Sequence, residues 1–435
     1  MPSEDPPQGD GLPPRRAART LLTAVLDRKR SLDDALGDLD PGLSQRDRAF
    51  ARQLAATALR RLGQIDAVSA LLLRQGPPKR APDIPDILRL GLAQILFLRT
   101  PAHAAVSTSV DLARETAEGR FAGLVNAVLR RAAREAAQLL PARDAAELNT
   151  PPWLWARWTA AYGADAARAI AARHLEEPPL DITAKADAGL WAARLEAEAL
   201  PTGTLRRRHD GPVTELPGYA EGAWWVQDAG AALPARLFGP VAGLTVVDLC
   251  AAPGGKTAQL AAAGARVIAV DRSAPRLDRL RANLRRLGLE VETVEADATA
   301  WQPPTPADAV LLDAPCTSTG TIRRHPDIAR LKRPGDVAKL AATQARLLAH
   351  AATLLRPGGL LVWSTCSLEP EEGEERIARL LAQGAPLRRE PVSPAEIGGL
   401  AEIVTPLGEI RSLPSHGAAF GGLDGFHIAR LRRIG

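Results

Sequence analysis

Cysteine is scarce in this chain of 435 residues: there are three, Cys250, Cys316 and Cys366. An odd, sparse set argues against a disulfide framework, and no CxxC pair offers the usual zinc spacing. Aromatics are also few, at 4%. Trp153 and Trp158 read as core or interdomain packing rather than as base-stacking platforms. No apolar run reaches the ~18 residues of a membrane span. The opening MPSEDPPQGDGLPP is polar, acidic and proline-rich, and lacks the basic-then-apolar plan of a signal peptide. Residues 1–14 therefore read as a disordered leader, and the chain is expected to be cytoplasmic. Lysine is rare among the 55 basic residues. The net charge of +5 and pI near 9.4 permit nucleic-acid binding without proving it, because a bias toward Ala, Arg and Pro explains the arginines as readily. The length exceeds one core, so two or three domains are expected.

What is present centres on Val246 to Thr257, VVDLCAAPGGKT. A buried-strand pattern runs into a small-residue turn and then a helix, the arrangement that holds a nucleotide-like ligand at strand ends. Two familiar loops do not fit. A Walker A loop needs glycine where Cys250 stands, and GxGxxG is absent. An S-adenosylmethionine (SAM) site remains, and Arg266 to Asp271 supports it: a short apolar strand ends in a carboxylate roughly 20 residues on, where ribose hydroxyls need an acceptor. The plain alternative is a βαβ turn with no ligand.

Taken in order, Arg15 to about Leu140 is helical, with apolar stripes at Leu21, Leu22, Val25 and Leu26, at Phe50, Leu54 and Ala58, and along Ile84 to Leu96. Phe121, Leu124, Val125, Val128 and Leu129 form a further core-facing face. Asn149 to Pro152 breaks the pattern, and residues up to about 220 mix helix and strand. From Trp224 strands alternate with helices: strands at 244–250, 266–271, 291–296, 308–313 and 359–365, helices at 256–263, 275–286, 336–355 and 370–382, and a last strand at 426–431. This implies an α/β fold with a doubly wound, mostly parallel sheet.

Asp248, Asp271, Asp297 and Asp313 fall at or near strand ends, which converge on the ligand crevice of such a sheet. Asp271 suits the ribose and Asp297 the adenine edge. A single aspartate of this kind is usually a cap or turn residue, but four in succession are harder to dismiss. DAVLLDAPCTSTG (308–320) and LLVWSTCSLEPEEGE (360–374) put Cys316 and Cys366 beside the same crevice. A thiolate next to a methyl donor points to one reaction. Carbon 5 of a pyrimidine becomes nucleophilic once a thiolate adds to carbon 6, and Asp313 near the exocyclic amine would stabilise the charge that develops in the ring. The chemistry alone does not rank the two cysteines.

AAPGGKT, DAPCTSTG and STCSLEPEEGE together resemble the SAM-dependent RNA cytosine-5 methyltransferases of the Sun superfamily. The helical start, above all FAGLVNAVLRR (121–131), resembles the NusB-like RNA-binding domain, which narrows the likeness to the Sun/Fmu (RsmB) branch. The resemblance implies a Rossmann-like methyltransferase sheet preceded by an all-α NusB-like domain, with small-subunit rRNA as partner. It implies Cys366 as nucleophile, Cys316 as the group that assists release, and Cys250, Ala251, Ala252, Pro253, Gly254, Gly255, Lys256, Asp271, Asp297 and Asp313 as SAM contacts. No metal is expected.

The domains expected are the leader to 14, a NusB-like domain over 15–145, a connector over 146–222 and the methyltransferase domain over 223–435. Arg323, Arg324 and His325, in a segment resembling the family's RRHPD, are assigned to substrate RNA, with a solvated basic loop as the alternative. His427 stands where the family's closing strand usually has a second aromatic. The acidic run Glu369, Glu371, Glu372 and Glu374 reads as a helix start favoured by the macrodipole. Two rival readings remain. The same chemistry could act on tRNA or large-subunit rRNA, or the chain could be a non-catalytic RNA-binding assembly factor.

Overall fold

A computed structural model describes residues 11–434 apart from 74, 75, 79, 117, 118, 141–143, 209 and 210. The chain divides into two compact units: one of residues 1–156, 174–176 and 324–332, the other of 157–173, 177–323 and 333–435.

The first unit is helical. Its main helices are Leu12–Leu26, Gln45–Arg60, Leu62–Leu72, Asp83–Leu96, Ala102–Arg114 and Ala122–Leu139. The apolar stripes legible in the sequence face inward: Leu21, Leu22, Val25, Leu54, Ile84, Ile87, Leu88, Val125 and Leu129 join one core. Pro13 and Pro14 sit in the first turn of the opening helix, where a missing N–H costs nothing. The expected leader therefore cannot extend to residue 14, because Leu12 to Pro14 are already helical; the rest of it, residues 1–10, lies outside the described residues.

The second unit carries two sheets. The smaller one comprises β1 (Leu180–Ala184), β2 (Glu198–Ala199), β3 (Leu205–Arg207) and β4 (Trp224–Val226), in the order β2-β3-β1-β4. The expected connector over 146–222 is thus not a separate body. Residues up to 156 cluster with the helical unit, and most of the remainder clusters with the large sheet's unit.

The large sheet contains β5 (Thr245–Leu249), β6 (Arg266–Asp271), β7 (Glu292–Glu295), β8 (Ala307–Asp313), β9 (Leu355–Thr365), β10 (Leu387–Arg389), β11 (Ile410–Ser412) and β12 (Phe426–Arg433). Its order is β10-β12-β9-β8-β5-β6-β7, with β11 on β12. β5 to β9 are mutually parallel, and β12 runs antiparallel to β9.

Alternate residues along β5 enter two different cores, as the pleat requires. Val247 and Leu249 pack with Leu347, Leu348 and Trp363 on one face, and Val246 packs with Leu233, Leu260 and Val362 on the other. The chain leaves β5 toward β6 on one side and places β8 on the other. The switch point therefore lies between β5 and β8, and the strand ends there open the crevice in which such sheets bind ligands. Among the described residues, no helix is long and apolar enough to cross a membrane.

Candidate active site

The cofactor loop begins directly after β5. Cys250 takes a left-handed backbone (φ 60°), and Gly254, at φ 102°, precedes the helix Gly255–Ala262. A Cβ on Gly254 would lie 2.8 Å from the Leu280 side chain, so both conformation and space call for glycine here. That helix has no side-chain cap, so no N-cap side chain takes up its first N–H groups.

Asp271, at the end of β6, is buried. It accepts from Ala252 N–H at 3.2 Å and Ser273 N–H at 3.0 Å, with Arg276 at 3.5 Å. It thereby holds the loop after β5. Asp297 is exposed just past β7 and accepts from Thr299 N–H and hydroxyl at 2.9 and 2.8 Å, which holds its carboxyl below the ordinary value. Asp248 is buried beneath the loop. It accepts from the Thr257 hydroxyl at 2.6 Å, while its Oδ1 has no donor, and burial pushes its carboxyl up to about 7. The glycine at positive φ, the uncapped helix start and the unsatisfied buried carboxylate oxygen fit a nucleoside-bearing cofactor. Lys256 does not face open solvent: its Nζ donates to Asp313 at 2.7 Å and lies 5.3 Å from the Phe426 ring centroid.

The parallel register sets the second half of the site. Asp313 stands opposite Ser364, whose hydroxyl donates to it at 2.8 Å. Three residues beyond Asp313 comes Cys316, and two beyond Ser364 comes Cys366. Their sulfurs are 3.4 Å apart, and both thiols are free. The hydrogen bond from Cys316 lowers the Cys366 thiol below its ordinary value, against the effect of burial. The same hydrogen bond and burial raise Cys316, and the Glu372 charge adds to this. Cys250 differs from both: burial, then Asp271 and Asp313, push it up to about 12, so it remains a thiol.

One expectation is corrected here and one is refined. Arg323 is not offered to RNA. It is 1% exposed and donates to Asp228 at 2.6 Å and Asp424 at 3.4 Å. A buried guanidinium must be paired, and these two carboxylates pair it. Arg324 and His325 are half-buried, and His325 Nδ1 lies 3.4 Å from Asp33 within the helical unit. The acidic run does start helices, Glu371 and Glu372 in the first turn of the 3-10 helix Pro370–Glu372 and Glu374 in that of the helix after it, but specific partners hold its carboxylates as well. Glu369 and Glu372 are buried, and Arg157 pairs with Glu369 and, at 2.6 Å, with Glu371. Trp158 Nε1 donates to Glu369 at 3.3 Å. Only Glu374, in this run, lies in the helix Glu374–Ala382, and Arg411 grips it at 2.8 and 2.6 Å.

His427 is wholly buried, with its Nε2 3.0 Å from Glu409, so its place in the closing strand is set by a carboxylate. Sequence reasoning missed Glu372, whose neighbours Thr317 and Gln344 lie 55 and 28 residues away. Only the density of acids after Cys366 hinted at it.

A family model for 16S rRNA methyltransferase RsmB/F matches residues 235–432, and one for the NusB family matches 12–134. Ribosomal RNA small subunit methyltransferase B of Cronobacter sakazakii is 35% identical over 96% of this chain and 98% of its own. The chain belongs to the RsmB/F family of 16S rRNA methyltransferases. The corresponding Pseudomonas putida enzyme is 37% identical over 97% of this chain and 98% of its own. The crystal structure of PH0851 covers 97% of this chain and 99% of its own with a TM-score of 0.75; at 23% identity it shares the fold. SAM is the methyl donor of this family. Among the described residues no cluster of His, Cys, Asp or Glu could hold a metal.

Proposed function

We propose that this RsmB/F enzyme methylates carbon 5 of a cytosine in small-subunit rRNA through a covalent bond from Cys366 to carbon 6. The observation that carries the reading is the pair of free sulfurs 3.4 Å apart at the ends of β8 and β9, beside the cofactor loop, with Cys366 the more acidic of the two.

The Cys366 thiolate adds to carbon 6, and the ring electrons move onto ring nitrogen and carbonyl oxygen, making carbon 5 an enamine carbon. Asp313 accepts from the exocyclic amine and is itself held by Lys256 and Ser364. Lys256 keeps its charge: burial opposes it, but Asp313 raises its affinity for the proton above the ordinary value. Bound SAM supplies the methyl group. The carbon-5 proton then leaves to a base, the carbon 5–carbon 6 double bond re-forms, and the carbon–sulfur bond breaks with Cys316 assisting release. The loop 250–256, Asp271 and Asp297 hold the donor. The same reading locates the enzyme in the cytoplasm with small-subunit rRNA as its partner.

The test is methyl transfer from labelled SAM to unmodified small-subunit rRNA, followed by digestion to nucleosides and mapping of the label. Label in 5-methylcytosine is expected. Cys316→Ala should leave a protein–RNA adduct on a denaturing gel, and Cys366→Ala should leave none and lose turnover. Adduct with Cys366→Ala alone would reverse the roles. Label in another nucleoside would sink the two-cysteine chemistry.

A further inference from the structure

We propose that Glu372 is a positioning residue for this reaction: its buried carboxylate sets the Cys316 sulfur against the Cys366 sulfur. The inference rests on the cysteine roles proposed above.

Glu372 is fully buried. Its carboxylate accepts from Thr317 N–H at 3.1 and 3.2 Å to its two oxygens, from the Thr317 hydroxyl, from the Ser367 hydroxyl at 2.6 Å, and from Gln344 Nε2 at 2.9 Å. Thr317 follows Cys316, and Ser367 follows Cys366. The residues before the two cysteines are tied to the same place. Pro315 O accepts from Gln344 Nε2 at 2.9 Å, and the Thr365 hydroxyl donates to the Glu372 carbonyl at 2.9 Å. Each sulfur is therefore flanked on both sides by groups bonded to Glu372 or to its partner Gln344.

The two cysteines do not depend on this hub equally. Cys366 directly follows the long strand β9, and its carbonyl accepts from Gly320 N–H at 3.0 Å. Cys316 lies in a stretch between Asp313 and Thr319 with no regular structure. Pro315 has no N–H to give, so after Ala314, whose N–H is bonded to Ser364, the next backbone donors are those of Cys316 and Thr317. The Thr317 donor ends on Glu372. Gln344 on Pro315 O and the Thr317–Ser367 hydroxyl contact at 3.0 Å also hold this stretch, but the backbone donor nearest after Cys316 and three of the side-chain donors around it converge on the one carboxylate.

An ionised carboxylate buried without partners would be expelled or protonated. Burial does push Glu372 upward, and its donors oppose that. Replacing the carboxylate by an amide removes the charge and turns one of its two accepting oxygens into a donor among the Thr317, Ser367 and Gln344 donors, so the Cys316 loop must shift to satisfy them. A shift of about 1 Å at a reacting group lowers a rate on the order of 100-fold. The loop that shifts carries Cys316, so release should suffer more than attack.

The experiment compares full-length Glu372→Gln, Glu372→Asp and Gln344→Leu with the parent and with Cys316→Ala, using SAM and small-subunit rRNA. For Glu372→Gln, kcat should fall on the order of 100-fold, the Kd for SAM should stay within about twofold because the cofactor loop is untouched, and a covalent RNA adduct should accumulate as in Cys316→Ala. Glu372→Asp, which keeps the charge, should recover part of the rate. If Glu372→Gln fails to fold by thermal melting, Gln344→Leu carries the test, with a smaller fall in kcat and the same adduct. Turnover at parental rate in either folded variant, or a slowed variant with no adduct, overturns the role of Glu372. Absence of adduct in Cys316→Ala itself would instead overturn the cysteine assignment on which the role rests.

Discussion

The cofactor loop and the two cysteine segments meet at the same edge of one sheet, yet they are held in place differently. The stretch from Cys250 to Lys256 gets its shape from backbone: a left-handed Cys250, Gly254 at φ 102° and a helix start with no side-chain cap. The stretches after Cys316 and Cys366 get theirs from paired charge, buried or half-buried: Arg323 on Asp228 and Asp424, Arg157 on Glu369 and Glu371, Glu372 on its four donor groups, and Glu374 on Arg411. A loop shaped by backbone is broken by adding atoms. A loop shaped by buried charge is broken by removing them, because the abandoned partner keeps its desolvation penalty.

Substitutions can break that contrast, and the largest effect should come from Arg323→Ala. It strands two carboxylates that are essentially buried and should lower the unfolding free energy by about 3–5 kcal/mol in a denaturant titration. The salt dependence of rRNA binding should be unchanged. Unchanged stability with a shallower salt dependence would return Arg323 to the RNA surface. Gly254→Val comes next. A Cβ at positive φ against Leu280 is worth roughly 1–3 kcal/mol of strain, which should weaken SAM binding roughly 10–100-fold by calorimetry. Parental affinity would show that the loop tolerates added atoms.

The smallest effect sharpens the comparison at Asp248, the buried carboxyl in β5 just before the backbone-shaped loop. Its carboxyl is raised by burial to about 7 from an ordinary 3.8. Between those values the folded chain holds a proton that the unfolded chain has released, so this group makes stability fall as pH rises through the window. Asp248→Asn should flatten that slope. Without SAM, its melting temperature relative to the parent should rise from pH 5 to pH 8. A constant difference would refute the shift.

The centre of the sheet was legible because β5, β6, β8 and β9 are apolar runs that end at or next to Asp or Cys, whereas β10 and β11, of three residues each, were not expected. The strand expected at 266–271 is observed there, and those expected at 244–250 and 308–313 are observed at 245–249 and 307–313. β9 begins four residues early, since Leu355 pairs with Ala307 across a register shift that periodicity cannot register. The cofactor loop could be read because its signal is local: small residues in a row, then a helix. Arg323 and Glu372 could not. In sequence an arginine beside Arg324 and His325 resembles a basic loop, and four glutamates before a helix resemble a macrodipole partner. Apart from Ser367, their counter-charges and donors lie 28 to 101 residues away and come together only in the fold. The small sheet was obscure for another reason. Strands of two to five residues carry too little alternation to show a period.

One consequence concerns how the molecule could be taken apart. Residues 324–332 belong to the helical unit although they are encoded between β8 and β9 of the sheet. Asp327 accepts from Leu32 N–H at 3.0 Å, Arg330 donates to Asn149 O at 2.7 Å, and Leu331 packs on the helical core. A fragment ending near residue 156 would therefore lack a piece of its own covering, and a fragment starting there would carry that piece with nothing to cover. Neither half is a clean cassette, so gene fusions that exchange the helical unit for a homologous one must also exchange residues 174–176 and the nine residues 324–332 from within the enzyme's other half.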